Sequence, residues 1–249
     1  MTDLHDKVAL ITGSARGIGR AIAERYASLG ASVVINYSTG ERAARETVAA
    51  IEQTAATAIA VQANVAHLDE IDRLFETTLD RFGRLDIVVA NAGVELVAQP
   101  VADVSEADYD RLFAVNAKGA FFTVQRAARH IADNGRIIYV GTSNTAFPLP
   151  GRGAYGASKA PGQFLVEVLA KELGARGVTA NSILPTATEG AGVFTDGVRH
   201  EVAEYVRSYR PMARMGTVAD VADAAEYLAG DLAGFVSGQH LLVAGGAPA

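Results

Sequence analysis

A phenol and an ammonium stand four residues apart in Tyr155-Gly-Ala-Ser-Lys159, within a stretch of helical spacing. On a helix that interval puts both side chains on one face, one turn apart. A free phenol titrates near ~10, too high for easy proton transfer at neutral pH, and a neighbouring cation favours the phenolate. The pair could do acid–base work on an oxygen, although the same spacing by itself is common on purely structural helices. A second set could hold an anion. Thr12-Gly-Ser-Ala-Arg-Gly-Ile-Gly19 follows an apolar run and opens a helical stretch. Gly13 permits the tight turn, Gly17 lets the backbone approach a pyrophosphate, and Gly19 lets the helix pack closely on the strand. Ser14, Arg16 and Ile18 complete the turn, and the helix N-terminus meets the anion with free N–H groups and partial positive charge.

The second apolar run ends in Asn36-Tyr37-Ser38, where an NAD-selective site would place an acid against the ribose 2′-hydroxyl. No carboxylate stands there. Arg16, Ser38 and Arg42 would offer donors and positive charge to a 2′-phosphate, so the expected cofactor is NADP, with NAD not excluded. The plainer alternative for Arg16 and Arg42 is a solvated surface position.

These residues need a frame, and the chain alternates short β-branched runs with longer amphipathic stretches. Val8–Thr12, Ser32–Asn36, Ala58–Gln62, Ile87–Ala90, Arg136–Val140, Thr179–Leu184 and His240–Val243 read as strands covered on both faces. Helical segments are expected near Ile18–Leu29, Glu41–Thr54, Asp69–Phe82, Glu106–Ala132, Ala154–Arg176 and Ala219–Gly230. Right-handed crossovers then give an α/β, doubly wound Rossmann fold, a seven-stranded parallel sheet with helices on both faces, expected as one domain over residues 1–249. Only about 186–215 lacks a clear pattern. It reads as a lid with Gly190, Gly192 and Gly197 as hinges, or as a short surface helix at about 198–208, and the two readings are compatible.

Composition removes several functions. The 249 residues contain no cysteine, which excludes disulfides, thiolate zinc sites, iron–sulfur clusters and a cysteine nucleophile. A net charge of -6, with the arginines lying among acids, argues against nucleic-acid binding. No apolar run approaches the ~20 residues that cross a bilayer, and the first residues lack a signal-peptide pattern, so a cytoplasmic protein without membrane partners is expected.

Taken in order, the Thr12–Gly19 turn, Asn91-Ala-Gly93 after the fourth strand, Asn116, Thr142-Ser143 after the fifth strand and Tyr155-x-x-x-Lys159 resemble the short-chain dehydrogenase/reductase family from Lys7 to about Gly246. The resemblance implies hydride transfer between a nicotinamide and a carbon bearing oxygen, with Tyr155 as proton donor or acceptor. It implies that Lys159 lowers the Tyr155 pKa and binds the nicotinamide ribose. A hydroxyl, Thr142 on register or Ser143 one place later, would hold the substrate oxygen, and Asn116 would seat a water linking Lys159 to solvent. Asn91, Ala92 and Gly93, with Asn64 and Val65, would line the adenosine side, and Pro185 and Thr188 would border the nicotinamide.

Three departures from the family pattern stand out: Thr142 at the usual serine, Thr186 after Pro185 in place of glycine, and Pro161 just beyond Lys159, where a kink is expected. Glu95, Leu96, Asn144, Phe147, Leu149 and the 186–215 segment are the expected substrate pocket, suited to a hydrophobic ketone or secondary alcohol. The leading expectation is an NADPH-dependent ketone reductase, reversible as an alcohol dehydrogenase, assembled as a homotetramer through the helices at 106–132 and 154–176. A 3-oxoacyl thioester reductase and a catalytically silent dinucleotide-binding regulator are the alternatives.

Overall fold

The computed structural model describes residues 2–246. In chain order the elements are β1 (Val8–Ile11), α1 (Gly17–Ser28), β2 (Ser32–Tyr37), α2 (Glu41–Glu52), β3 (Ala58–Gln62), α3 (Leu68–Phe82) and β4 (Ile87–Ala90). Then follow α4 (Glu106–Phe113), α5 (Ala120–His130), β5 (Arg136–Val140), α6 (Gly153–Glu172) and β6 (Thr179–Pro185). The C-terminal part holds β7 (Thr188–Glu189), α7 (His200–Tyr209), β8 (Gly216–Thr217), α8 (Val218–Ala229) and β9 (His240–Val243).

Seven strands form one parallel sheet in the order β3-β2-β1-β4-β5-β6-β9. The doubly wound sheet read from the sequence is therefore present. Every residue of β1, β4 and β5 is buried, as a strand covered on both faces requires. On one face α1 and α8 supply Ile22, Tyr26, Val221 and Leu228; on the other, α3, α5 and α6 supply Leu74, Phe75, Val124 and Val166. Strand order reverses between β1 and β4, which opens a crevice at their carboxyl ends. Among the described residues no helix is long and apolar enough to cross a membrane.

One local expectation needs correction, and two others gain detail. The helix expected over 106–132 is divided: α4 passes into a π-helical turn, Ala114–Gly119, before α5 begins. The extra residue in that turn brings Gly119 so near β3's following loop that a Cβ would lie 2.8 Å from the Val65 carbonyl. The 186–215 segment is structured: β7 pairs with β8, a 3-10 turn covers Gly192–Phe194, and the surface helix is α7. Finally, α6 runs unbroken through Pro161. Its middle is pinned to the sheet where Tyr139 Oη donates to the Lys159 carbonyl at 2.9 Å and Gly162 lies on the Tyr139 ring.

Candidate active site

A cleft of about 680 Å³ lies over the carboxyl ends of the central strands. Its floor is tied together by Thr12 and Asn91. Thr12 Oγ1 accepts from the amides of Asn91 and Ala92, both at 3.0 Å, and Asn91 Nδ2 donates to the carbonyls of Thr12 (2.8 Å) and Gly13 (3.1 Å). The glycines are sterically required. Gly13 has φ +62°, and a Cβ there would stand 2.9 Å from Ala92 Cα; a Cβ on Gly19 would meet Asn91 Nδ2 at 2.5 Å. Gly17 lies at φ +60°, where a Cβ would touch the Gly190 carbonyl across the cleft at 3.5 Å, and no side chain caps the first turn of α1. Free amides, a positive dipole end and a cradle that a Cβ would fill fit a dinucleotide pyrophosphate.

Arg16, Gly17, Ile18, Tyr37, Ser38, Asn64, Val65, Ala92 and Gly93 all line this cleft. Other residues expected there do different work. Ser14 is fully buried, donating to the Ile11 carbonyl and accepting from the Asn36 amide, so it fastens the turn to β2 instead of facing a ligand. Asn36 borders the cleft, but its side chain is spent: Oδ1 accepts from Gly13 N–H and Nδ2 donates to the carbonyls of Val61 and Ala63. Arg42 does not line the cleft; it extends along the outside of α2 to Glu46 at 2.6 Å. Arg16 has no side-chain hydrogen bond or ion pair among the described residues and stays available at the adenosine end. Asn64 Oδ1 already accepts from the Ala66 amide at 3.1 Å.

At the far end, α6 and the end of β5 bring Tyr155, Lys159 and Thr142 together, all three buried. Both candidate hydroxyls line the cleft, but it is the Thr142 hydroxyl that acts on the Tyr155 phenol. Burial pushes the Tyr155 phenol well above its ordinary range and the Glu95 carboxylate adds to this, while the Thr142 hydroxyl and the Arg152 guanidinium pull it back. The expected lowering by Lys159 is therefore not what this geometry gives. Lys159 Nζ is turned to the Val140 carbonyl at 3.0 Å, over the Tyr139 ring, and burial pushes its own pKa down to about 8.

Asn116 clamps the loop after β4 with both ends of its amide. Oδ1 accepts from the Val94 amide at 2.9 Å, and Nδ2 donates to the Val94 carbonyl at 2.8 Å and to Ser158 Oγ at 2.9 Å. A Cβ on Gly93 would lie 2.8 Å from Lys159 Nζ and 3.2 Å from Asn116 Oδ1. Glycine thus keeps open one small space that both polar atoms face.

On the substrate side Glu95, Asn144 and Leu149 line the cleft, whereas Phe147 and Leu96 do not. Phe147 follows the 3-10 turn Ser143–Thr145, which carries it out of the wall. The apolar wall comes mainly from Val193, Phe194, Val202 and Val206 of the 186–217 segment. Arg152, also in the lining, was not foreseen; it immediately precedes α6 and has no side-chain hydrogen bond or ion pair among the described residues. Its position three residues before Tyr155 was the available signal. Pro185 and Thr188 border the cleft as expected, but Thr188 Oγ1 donates to the Thr186 carbonyl, and Thr186 Oγ1 accepts from Arg210 Nη2 at 2.6 Å. The threonine that replaces glycine anchors the end of α7.

A protein-family model described as enoyl-(acyl carrier protein) reductase matches residues 13–248. A hydroxynaphthalene reductase-like protein, Arp2 of Metarhizium brunneum, is 35% identical over 98% of this chain and 95% of its own. The chain belongs to the short-chain dehydrogenase/reductase family. The solved structure of LugOII, a promiscuous reductase that catalyses keto-reduction at C1 during lugdunomycin biosynthesis, matches with TM-score 0.91 and 38% identity, covering 98% of this chain and 99% of that one. The angucycline C-6 ketoreductase LanV, solved with bound NADP, matches with TM-score 0.91 and 36% identity, covering 98% and 96%. As a member of this family the protein is an NAD(P)-dependent short-chain oxidoreductase.

Proposed function

We propose that this oxidoreductase reduces a hydrophobic, aromatic ketone to a secondary alcohol with NADPH, with Tyr155 as the proton donor. The observation that carries the reading is that the Thr142 and Tyr155 hydroxyls and the buried Lys159 line one end of the same cleft. When bound, the nicotinamide nucleotide supplies the hydride. Thr142 and Tyr155 present two hydroxyls to one substrate oxygen, which suits a carbonyl becoming an alkoxide; Tyr155 gives that oxygen its proton. A buried phenol that holds its proton firmly is in the correct form to donate it. Lys159 adds positive charge behind the phenol, and the Gly93 space beside Asn116 Oδ1 is where a water would return a proton.

Arg16 supports NADPH over NADH: it is a cation in the adenosine end, with Tyr37 and Ser38 where an acid would select NAD. The names of relatives and neighbours, ketoreductases and a hydroxynaphthalene reductase-like protein, support an aromatic ketone. Exposed Tyr109, Phe121 and Phe164 on α4, α5 and α6 support assembly as a homotetramer, which sedimentation at micromolar concentration tests against a monomer. The deciding experiment follows NADPH and NADH oxidation against aromatic ketones, aliphatic ketones, β-ketoesters and quinones. Turnover of aromatic ketones with NADPH well above NADH is expected; turnover confined to aliphatic ketones or β-ketoesters, or equal use of both nucleotides, would overturn the reading.

A further inference from the structure

The 186–217 segment is fastened at two points. At its base Arg210, just after α7, donates Nη2 to Thr186 Oγ1 and Nη1 to the Ala187 carbonyl at 3.3 Å. At its tip the Gly192–Phe194 turn meets Glu95, which follows β4 on the opposite wall, and the Val193 amide donates to Glu95 Oε2 at 3.2 Å. Gly192 is fitted to this contact twice over. It sits at φ +56°, and a Cβ there would stand 2.6 Å from Glu95 Oε1. Packing alone would be served by an apolar side chain at 95, whereas a carboxylate gives the Val193 amide a charged acceptor.

We propose that Glu95 is a positioning residue that fastens the tip of this lid across the substrate end of the cleft, so that Val193 and Phe194 close on the bound ketone. The bond governs how tightly substrate is held, not the rate of proton transfer. Glu95's charge is also felt by Tyr155 and Lys159, which share the cleft with it. The kinetic arm of the test rests on the proposed ketone reduction; the exchange arm does not.

The experiment uses NADPH-loaded enzyme, with amide hydrogen exchange over residues 192–195 measured without substrate and kcat and KM measured with a neutral aromatic ketone. Glu95→Ala is expected to speed exchange about tenfold and raise KM about tenfold while kcat changes less than about threefold, the scale of one charge-assisted hydrogen bond. Glu95→Gln keeps an acceptor for the Val193 amide and is expected to recover most of both losses. Gly192→Ala, which leaves Glu95 in place but pushes on it, is expected to speed exchange in the same segment. Unchanged exchange in Glu95→Ala and Gly192→Ala would overturn the proposal, as would a fall in kcat at constant KM. If no ketone is turned over, the ketone reading fails by itself and exchange still decides the role of Glu95.

Discussion

Two places in this molecule carry the groups of a catalytic relay. In one, Ser182 Oγ lies 2.7 Å from His240 Nδ1, and His240 Nε2 lies 2.9 Å from Glu167 Oε1, which is the order of groups in a serine hydrolase. In the other, Tyr155 meets Thr142 with Lys159 behind. What separates them is access. Ser182 is a β6 residue with no exposed surface and lines no part of the cleft, so no acyl group could reach it. Tyr155 is also buried but keeps a little exposed surface and borders the cleft, so its burial tunes the phenol without sealing it off. The Ser182–His240–Glu167 chain cross-ties β6, β9 and α6; relay geometry becomes chemistry only where a substrate can arrive.

Replacing the reacting group should give the largest contrast. Tyr155→Phe keeps the buried ring on α6 and removes only the hydroxyl, so ketone reduction should fall by about 10³-fold or more while NADPH still binds. Turnover followed by nucleotide absorbance, with a separate NADPH titration, checks both halves. Retained turnover would mean that some other group donates the proton, and the comparison between the two relays would lose its basis.

Lys159 supplies the next effect, and its sign is unusual. Its pKa is pushed down to about 8 from an ordinary 10.5, so between those values the unfolded chain binds more protons than the folded one, and stability gains as pH rises. Below pH 8 the buried ammonium costs on the order of 3 kcal/mol, a cost that fades towards pH 10.5. Lys159→Met removes the titration. Denaturant unfolding of both proteins should show the wild type gaining about 3 kcal/mol relative to the variant between pH 7 and pH 10.5; a constant difference would show that the ammonium is not strained by burial.

The hydroxyl beside Tyr155 sharpens the comparison inside the site itself. Thr142→Ala should lower kcat by about 10²-fold, since it removes a donor to the developing alkoxide, and Thr142→Ser should restore most of it. Ser143→Ala should cost far less than Thr142→Ala. The reverse order would put Ser143 on the substrate oxygen. From sequence the two could be ranked only by register, because which hydroxyl turns inward is set by the 3-10 turn that begins at Ser143.

That limit recurs across the molecule. The parallel strands, the glycine turn and the Tyr155–Lys159 pair were legible because each is dictated by local backbone or spacing: a run buried on both faces, a positive φ, one helical turn. What depended on side-chain direction was not. Ser14 sits inside the turn motif yet points into the core, and Arg42 lies near Ser38 in sequence yet pairs outward with Glu46. Nor could periodicity show the π turn at Asn116, because inserting one residue rotates the helix face without changing which residue types are apolar. How the 186–217 segment is fastened was hidden for a third reason. Its tip is held by a contact between Glu95 and Val193, 98 positions apart.

The smallest effect tests the other half of the comparison. Ser182→Ala deletes the hydroxyl facing His240 Nδ1 while leaving the His240–Glu167 contact, so the loss is one hydrogen bond plus the cost of a partly buried ring nitrogen without a partner. That is about 1 kcal/mol, or a fall in Tm of roughly 2–4 °C for a chain of this size. Turnover should stay within about twofold of wild type, because β6 meets the cleft only at Pro185, three residues further along the strand. A drop in activity without a drop in Tm would give this chain a part in the chemistry. A drop in Tm alone leaves it as a tie between β6 and β9, the same kind of hydrogen-bonded array as the active site but built where no ligand can enter.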